Sequence, residues 1–121
     1  MHGVPKELPL ESFVGDSLTQ ICIGQNEIIF RFSEAGSITV EGRWELADAT
    51  GRPIDQSSEH AERGFYKIHV LLGNPVKSFA IEAPEWFSLR FDSGLTLKVF
   101  DDSHAYESFS IEPTGATGVY V

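Results

Sequence analysis

A single cysteine, Cys22, leaves the chain no internal disulfide, so its 121 residues must hold together by packing alone. Basic residues are scarce as well. Nine Lys and Arg stand against 18 Asp and Glu, a formal net charge of −9. That balance opposes nucleic-acid phosphates and anionic membranes, and favours a basic protein partner or plain solubility. No apolar run approaches the roughly 20 residues a membrane helix needs. Met1 to Lys6 lacks the apolar core of a signal peptide. A lone thiol inside Ile21-Cys22-Ile23 reads as a small buried side chain in a reducing compartment. The expectation is therefore a cytoplasmic protein away from membranes and nucleic acid. Also missing are a Gly-x-Ser-x-Gly elbow, a Gly-rich phosphate loop ahead of a helix, and Cys/His zinc spacing. Neither a cofactor nor a catalytic residue is expected.

What the chain does contain is a core and an internal echo. Hydrophobic residues make up 41% of it, with nine Phe, which fits one domain over residues 1–121. Gly15 to Val40 and Gly73 to Val99 share a pattern at an offset of roughly 57 to 59 residues. Both open with Gly-x-x-aliphatic, Gly15 to Leu18 and Gly73 to Val76. Ile21 and Ile23 match Phe79 and Ile81, and Phe30-Arg31-Phe32 matches Leu89-Arg90-Phe91. Turns containing Gly36 and Gly94 lead to Ile38-Thr39-Val40 and Leu95-Thr96-Leu97.

Read in order, Met1 to Pro9 is a loosely held arm, and Leu10, Phe13 and Val14 have helical spacing ending at Gly15. Leu18 to Ile23 is a strand, Gly24-Gln25-Asn26 a turn, and Ile28, Phe30 and Phe32 one face of the next strand. A third strand alternates from Ile38 and Val40 through Trp44 and Leu46, with Thr39, Glu41, Arg43 and Glu45 on the other side. Gly42 falls on its inner face, as a bulge or close backbone approach would require. Residues 48–58 read as a linker between repeats over about 10–46 and 59–112. Glu59 to Leu72 reads as a helix with Phe65, Ile68 and Leu72 as its stripe. Strands then follow near Val76 to Glu82, Trp86 to Phe91, Leu95 to Phe100 and Glu107 to Glu112, with Val119-Tyr120-Val121 docking last. The predicted fold is mainly β, of the α+β kind. Two pseudo-repeated three-stranded antiparallel units pack together, as a sandwich or as one curved sheet, with one short helix between them.

In order and spacing, these milestones resemble a family of small, uncharacterised bacterial domains. The matching residues are Gly15-x-x-Leu18, the Phe32 to Gly36 turn, Val40-Glu41, Leu71-Leu72-Gly73, Leu89 with Phe91 to Gly94, and Tyr106-Glu107-x-Phe109. The resemblance runs from about Gly15 to Val121. Phe109 stands where that family usually has Trp, and Thr114 to Gly118 replaces its proline-glycine turn. The family brings no established activity. Small acidic proteins of this kind serve as immunity proteins beside toxins, an analogy only.

The densest polar group is Asp101-Asp102-Ser103-His104 with Tyr106 and Glu107. Two carboxylates and an imidazole suit a divalent cation, but no EF-hand-like ligand spacing is present, and a turn closed by Asp and Ser side chains explains the same residues. Glu41 and Glu107 are candidate half-buried acids satisfied by backbone donors. Trp86 has parity opposite to Phe87, so it is either an outward binding anchor or a core residue against the helix. The candidate partner-binding residues are thus Trp86, Asp101, Asp102, His104, Tyr106 and Glu107. Three functions compete: a binding module for a basic partner, antitoxin-like; a homodimer through an open strand edge; and a metal-dependent hydrolase using Asp101, Asp102, His104 and Glu107.

Overall fold

Alternating apolar residues on short strands need a second layer to cover their greasy side, and the chain supplies it from its own two halves. The computed structural model describes residues 4–25, 27–57, 67–101, 108–114 and 118–121. Among them, ten strands form two five-stranded sheets. They are β1 (Leu18–Ile23), β2 (Ile28–Phe32), β3 (Gly36–Val40), β4 (Trp44–Ala47), β5 (Pro53–Gln56), β6 (Val76–Glu82), β7 (Trp86–Phe91), β8 (Thr96–Phe100), β9 (Phe109–Pro113) and β10 (Val119–Tyr120). The first sheet has the order β1-β2-β3-β9-β10 and the second β5-β4-β8-β7-β6, with every neighbouring pair antiparallel. A single core draws on both, including Phe30, Ile38, Trp44, Leu46, Phe87 and Phe109. Phe87 of β7 and Phe109 of β9 meet edge to face with centroids 4.8 Å apart, so the sheets pack as a sandwich.

The third strand of the sequence reading is two strands in different sheets. β3 pairs with β2 and β9, whereas β4 pairs with β5 and β8. The chain changes layers at Gly42, where an added Cβ would lie 3.3 Å from the Ser108 Cβ. Alternation stays in phase across the break because Ile38, Val40, Trp44 and Leu46 all face the one core. The second half crosses back after β8, and β9 and β10 complete the first sheet. Each half therefore lends a two-stranded hairpin to the sheet begun by the other.

The N-terminal arm is anchored from Val4 onward. Val4 is 3% exposed, its N–H donates to the Pro84 carbonyl at 2.8 Å, and Leu10 is fully buried. Val4 and Leu10 belong to the one core, and Leu8 packs against it. The supposed linker contains β5, an edge strand with Pro53 at its first position, as an edge permits. Asp55 replaces apolar burial as its anchor: Oδ1 accepts from Gln56 N at 2.9 Å, and Oδ2 from Lys67 N at 2.7 Å and Ile68 N at 3.1 Å. Of the predicted helix, residues 59–66 lie outside the described residues. The remainder is one 3-10 turn, Ile68–Leu71, and Leu72 is 45% exposed instead of completing an apolar stripe. β-Branched Ile68 and Val70 disfavour a longer helix there. Register also moves one alignment: Phe30 faces Ile38 and Leu89 faces Leu97, so Ile38-Thr39-Val40 corresponds to Leu97-Lys98-Val99.

The two halves meet through main-chain hydrogen bonds between residues 15–18 and 73–76. Gly15 N donates to Val76 O and Gly73 N to Leu18 O, both at 2.7 Å. Leu18 N donates to Asn74 O at 3.1 Å and Val76 N to Asp16 O at 2.9 Å. Each pair becomes the other under an offset of about 58 residues. A 3-10 turn precedes each segment, Glu11–Phe13 and Ile68–Leu71, and a glycine with positive φ follows, Gly15 at 89° and Gly73 at 83°.

Gly36 supports the tightest approach. Its φ is 125°, and a Cβ there would fall on the Glu112 carbonyl oxygen and within 2.8 Å of Pro113 Cα. Gly36→Ala is expected to cost about 3 kcal/mol or more, because both backbone strain and a clash with a neighbouring strand oppose it. Gly15→Ala, with nothing within 4 Å of the new Cβ, should cost only about 1–2 kcal/mol. Urea unfolding of the two variants checks the ranking.

Candidate functional site

β7 begins at Trp86, which pairs with Phe100 of β8 across the ladder, so both rings share a sheet face. Phe87 fills the core, and Trp86, of opposite parity, stands on the other face of the sheet and is half-buried. Lys98 lies two residues before Phe100 and hence on the same face. Its Nζ sits 4.3 Å from the Trp86 ring centroid and 5.9 Å from that of Phe100. The Arg43 guanidinium carbon, just ahead of β4, stands 4.1 Å from the Phe100 ring centroid. Arg43 reaches that place because its carbonyl accepts from Phe100 N at 3.0 Å. Its Nη2 also donates to Glu45 Oε2 at 2.8 Å. This exposed ion pair adds little stability but fixes the guanidinium over the ring. The result is an alternating line of rings and cations, Trp86, Lys98, Phe100 and Arg43, on the outside of the second sheet.

Beside that line is an open depression of about 340 Å3, lined by Glu45, Asp48, Arg90, Gly94, Thr96 and Lys98 among others. Its acids are already engaged. Glu45 holds Arg43, and Asp48 Oδ1 accepts from Thr50 Oγ1 at 2.6 Å, Thr50 N at 2.9 Å and Arg52 N at 3.0 Å. The Thr50 hydroxyl above all, then the Arg52 and Thr50 amides, hold the Asp48 carboxyl below its ordinary 3.8. Arg90 and Lys98 therefore share the walls of this depression with two carboxylates, one of them paired to Arg43.

The acidic cluster is described only at its first member. Asp102, His104, Tyr106 and Glu107 lie outside the described residues. Asp101 is half-buried: its N–H donates to Glu85 O at 3.0 Å, and its Oδ1 accepts from Ser108 Oγ at 2.7 Å. Its Oδ2 is buried and meets no donor among the described residues. The Glu85 contact brings Asp101 to the same end of the sandwich as Trp86. No group of three or more His, Cys, Asp and Glu placed to hold a metal occurs among the described residues. Glu41, expected half-buried, is exposed, and its N–H donates to Ser108 O at 2.9 Å. The grouping of Trp86, Lys98, Phe100 and Arg43 is not legible in the sequence, because it needs the β7–β8 register and the arrival of β4 beside β8. A signal was present: Trp86, Lys98 and Phe100 all have outward parity.

No protein-family model, curated protein or solved structure matches the chain. No helix among the described residues is long and apolar enough to cross a membrane.

Two consequences can be measured. Ser108→Ala removes the hydroxyl donor from the half-buried Asp101 carboxylate and should lower stability by about 1–3 kcal/mol, read from the urea midpoint. The depressed carboxyl of Asp48 contributes stability above its unfolded value, and that contribution disappears as pH falls through the lower folded value. An NMR titration should place the Asp48 midpoint below 3.8, and Asp48→Asn should lower stability at pH 7 and converge with the wild type in acid, which flattens the acid limb of the stability curve.

Proposed function

We propose that the protein is a non-catalytic protein-binding module whose docking face is the outside of the second sheet. The observation that carries this reading is the line Trp86, Lys98, Phe100 and Arg43, continuous with the depression walled by Arg90 and Lys98. Aromatic rings and arginine are the side chains that anchor interfaces, and here they are held in place by one another. The net charge of −9 favours a basic partner at long range, as for an antitoxin-like inhibitor in the cytoplasm. At contact, the face offers its cations to carboxylates of that partner. Duplication of an ancestral five-strand unit belongs to the same proposal. The offset-related hydrogen bonds at 15–18 and 73–76, and the matching strand orders of the sheets, support it.

The test is capture from native lysate with the wild-type chain and with Trp86→Ala. A specific partner should be retained by the wild type and weakened at least about tenfold in Kd by the substitution, which is a loss of about 1.4 kcal/mol or more. A partner held equally by both would move the docking face elsewhere. Finding none at low and moderate salt would remove the binding reading.

A further inference from the structure

Four strands end the two sheets: β1 and β10 in the first, β5 and β6 in the second. An open edge is a template for another strand, and proteins blunt it with charge, proline or brevity. β6 carries Lys77 and Glu82, β5 carries Pro53 and Asp55, and β10 has two residues. β1, Leu-Thr-Gln-Ile-Cys-Ile, has no charge, no proline and six residues, in a chain of net charge −9. Among the described residues, main-chain bonds on its outer side are made at Leu18 alone, to Asn74 O and Gly73 N. The register shift between Leu18 and Gln20 bends the strand near Thr19 and leaves Gln20 to Ile23 as the straight part.

That straight part also has an incompletely covered apolar margin. Ile21 and Ile23 pair with the buried Phe30 and Ile28, so they stand on the core side of the sheet. Yet Ile21 is only half-buried and Ile23 is 48% exposed. Gln20 and Cys22 point to the other side, where Cys22 is half-buried beside Ile29.

We propose that β1 pairs antiparallel with β1 of a second copy about a twofold axis through Cys22. A twofold antiparallel pair must match residues of like facing. Centring on Cys22 does so, and sets Ile21 against Ile23 of the other copy in both directions. Each copy's exposed isoleucine is then covered by the other's half-buried one. The opposing strands bring no like charges together, although the chains as a whole repel. The two sheets join into one continuous ten-stranded sheet, and the bulge near Thr19 stays outside the paired segment. The contact is small, so it belongs with weak, concentration-dependent dimers. Cys22 residues opposite each other have Cα atoms about 4.5–5.5 Å apart, within disulfide range.

The experiment uses the whole chain under reducing conditions, by sedimentation velocity from about 10 µM to about 1 mM. A monomer–dimer equilibrium is expected, abolished in Ile23→Lys and in Gln20→Lys, with unchanged circular dichroism showing that both variants fold. Added diamide should trap a Cys22 disulfide dimer of the wild type, with at least about tenfold slower trapping in Ile23→Lys, which keeps the thiol. A wild type that stays monomeric throughout overturns the proposal. So does a dimer that persists in both lysine variants. A lysine-sensitive dimer that diamide fails to trap at Cys22 overturns the twofold register, and with it the proposal. Retention or loss of the Trp86-dependent partner bears on none of these readings.

Discussion

The structure depends on the clasp between residues 15–18 and 73–76. Four main-chain hydrogen bonds link the entry of β1, at the edge of the first sheet, to the entry of β6, at the edge of the second. These amides and carbonyls lie where the strands leave their ladders, so without one another they would be unpaired near the core. The positive φ of Gly15 and Gly73 turns each chain segment out of its 3-10 turn and into the clasp. Leu18 and Val76, the residues that bond across it, are at most 1% exposed. Main-chain bonding and apolar burial therefore coincide at the point where the sheets are joined.

The exchange of hairpins has an energetic consequence. β1-β2-β3 alone has a greasy face and nothing to lay it on, and β4-β5 belongs to the other layer. Neither half contains a closed core, because Trp44 and Leu46 of the first half sit on the sheet begun by the second, and Phe109 and Ile111 do the reverse. Hydrophobic stabilisation accrues only when both halves are in place, which makes folding of this domain a single cooperative event. The long-range pairings β3–β9 and β4–β8 place it among topologies that fold slowly.

Much of this architecture was legible and some was hidden for physical reasons. β1, β2, β6 and β7 were readable because apolar residues alternate within uninterrupted strands. The layer change at Gly42 was hidden, since a sandwich has one core and alternation keeps its phase when a strand moves between facing sheets. β5 was hidden because Ile54 is its one apolar residue within Pro53–Gln56 and the Asp55 carboxylate does the anchoring. Leu72 misled because a helical stripe was inferred from spacing alone. A 3-10 turn instead directs Ile68 and Leu71 inward and leaves Leu72 exposed. At the site, the outward parity of Trp86 could be read, but its neighbours across the sheet could not.

The central outer rows of the sheets differ in chemistry although they share one scaffold. Across the first sheet the row is Cys22, Ile29, Thr39, Ser110 and Tyr120; across the second it is Ala80, Ser88, Lys98, Glu45 and Gln56. The rows occupy equivalent ladder positions, yet the first has no charge and the second has one of each sign. Inner positions cannot diverge this way, because each must fill a shared volume at close packing. Outer positions carry no such constraint, so differences in chemistry collect there. The neutral row ends at the uncharged edge β1, and the charged one adjoins the line of Trp86, Lys98, Phe100 and Arg43. The edge proposed for self-pairing and the face proposed for a partner thus belong to different sheets, so the one would not obstruct the other.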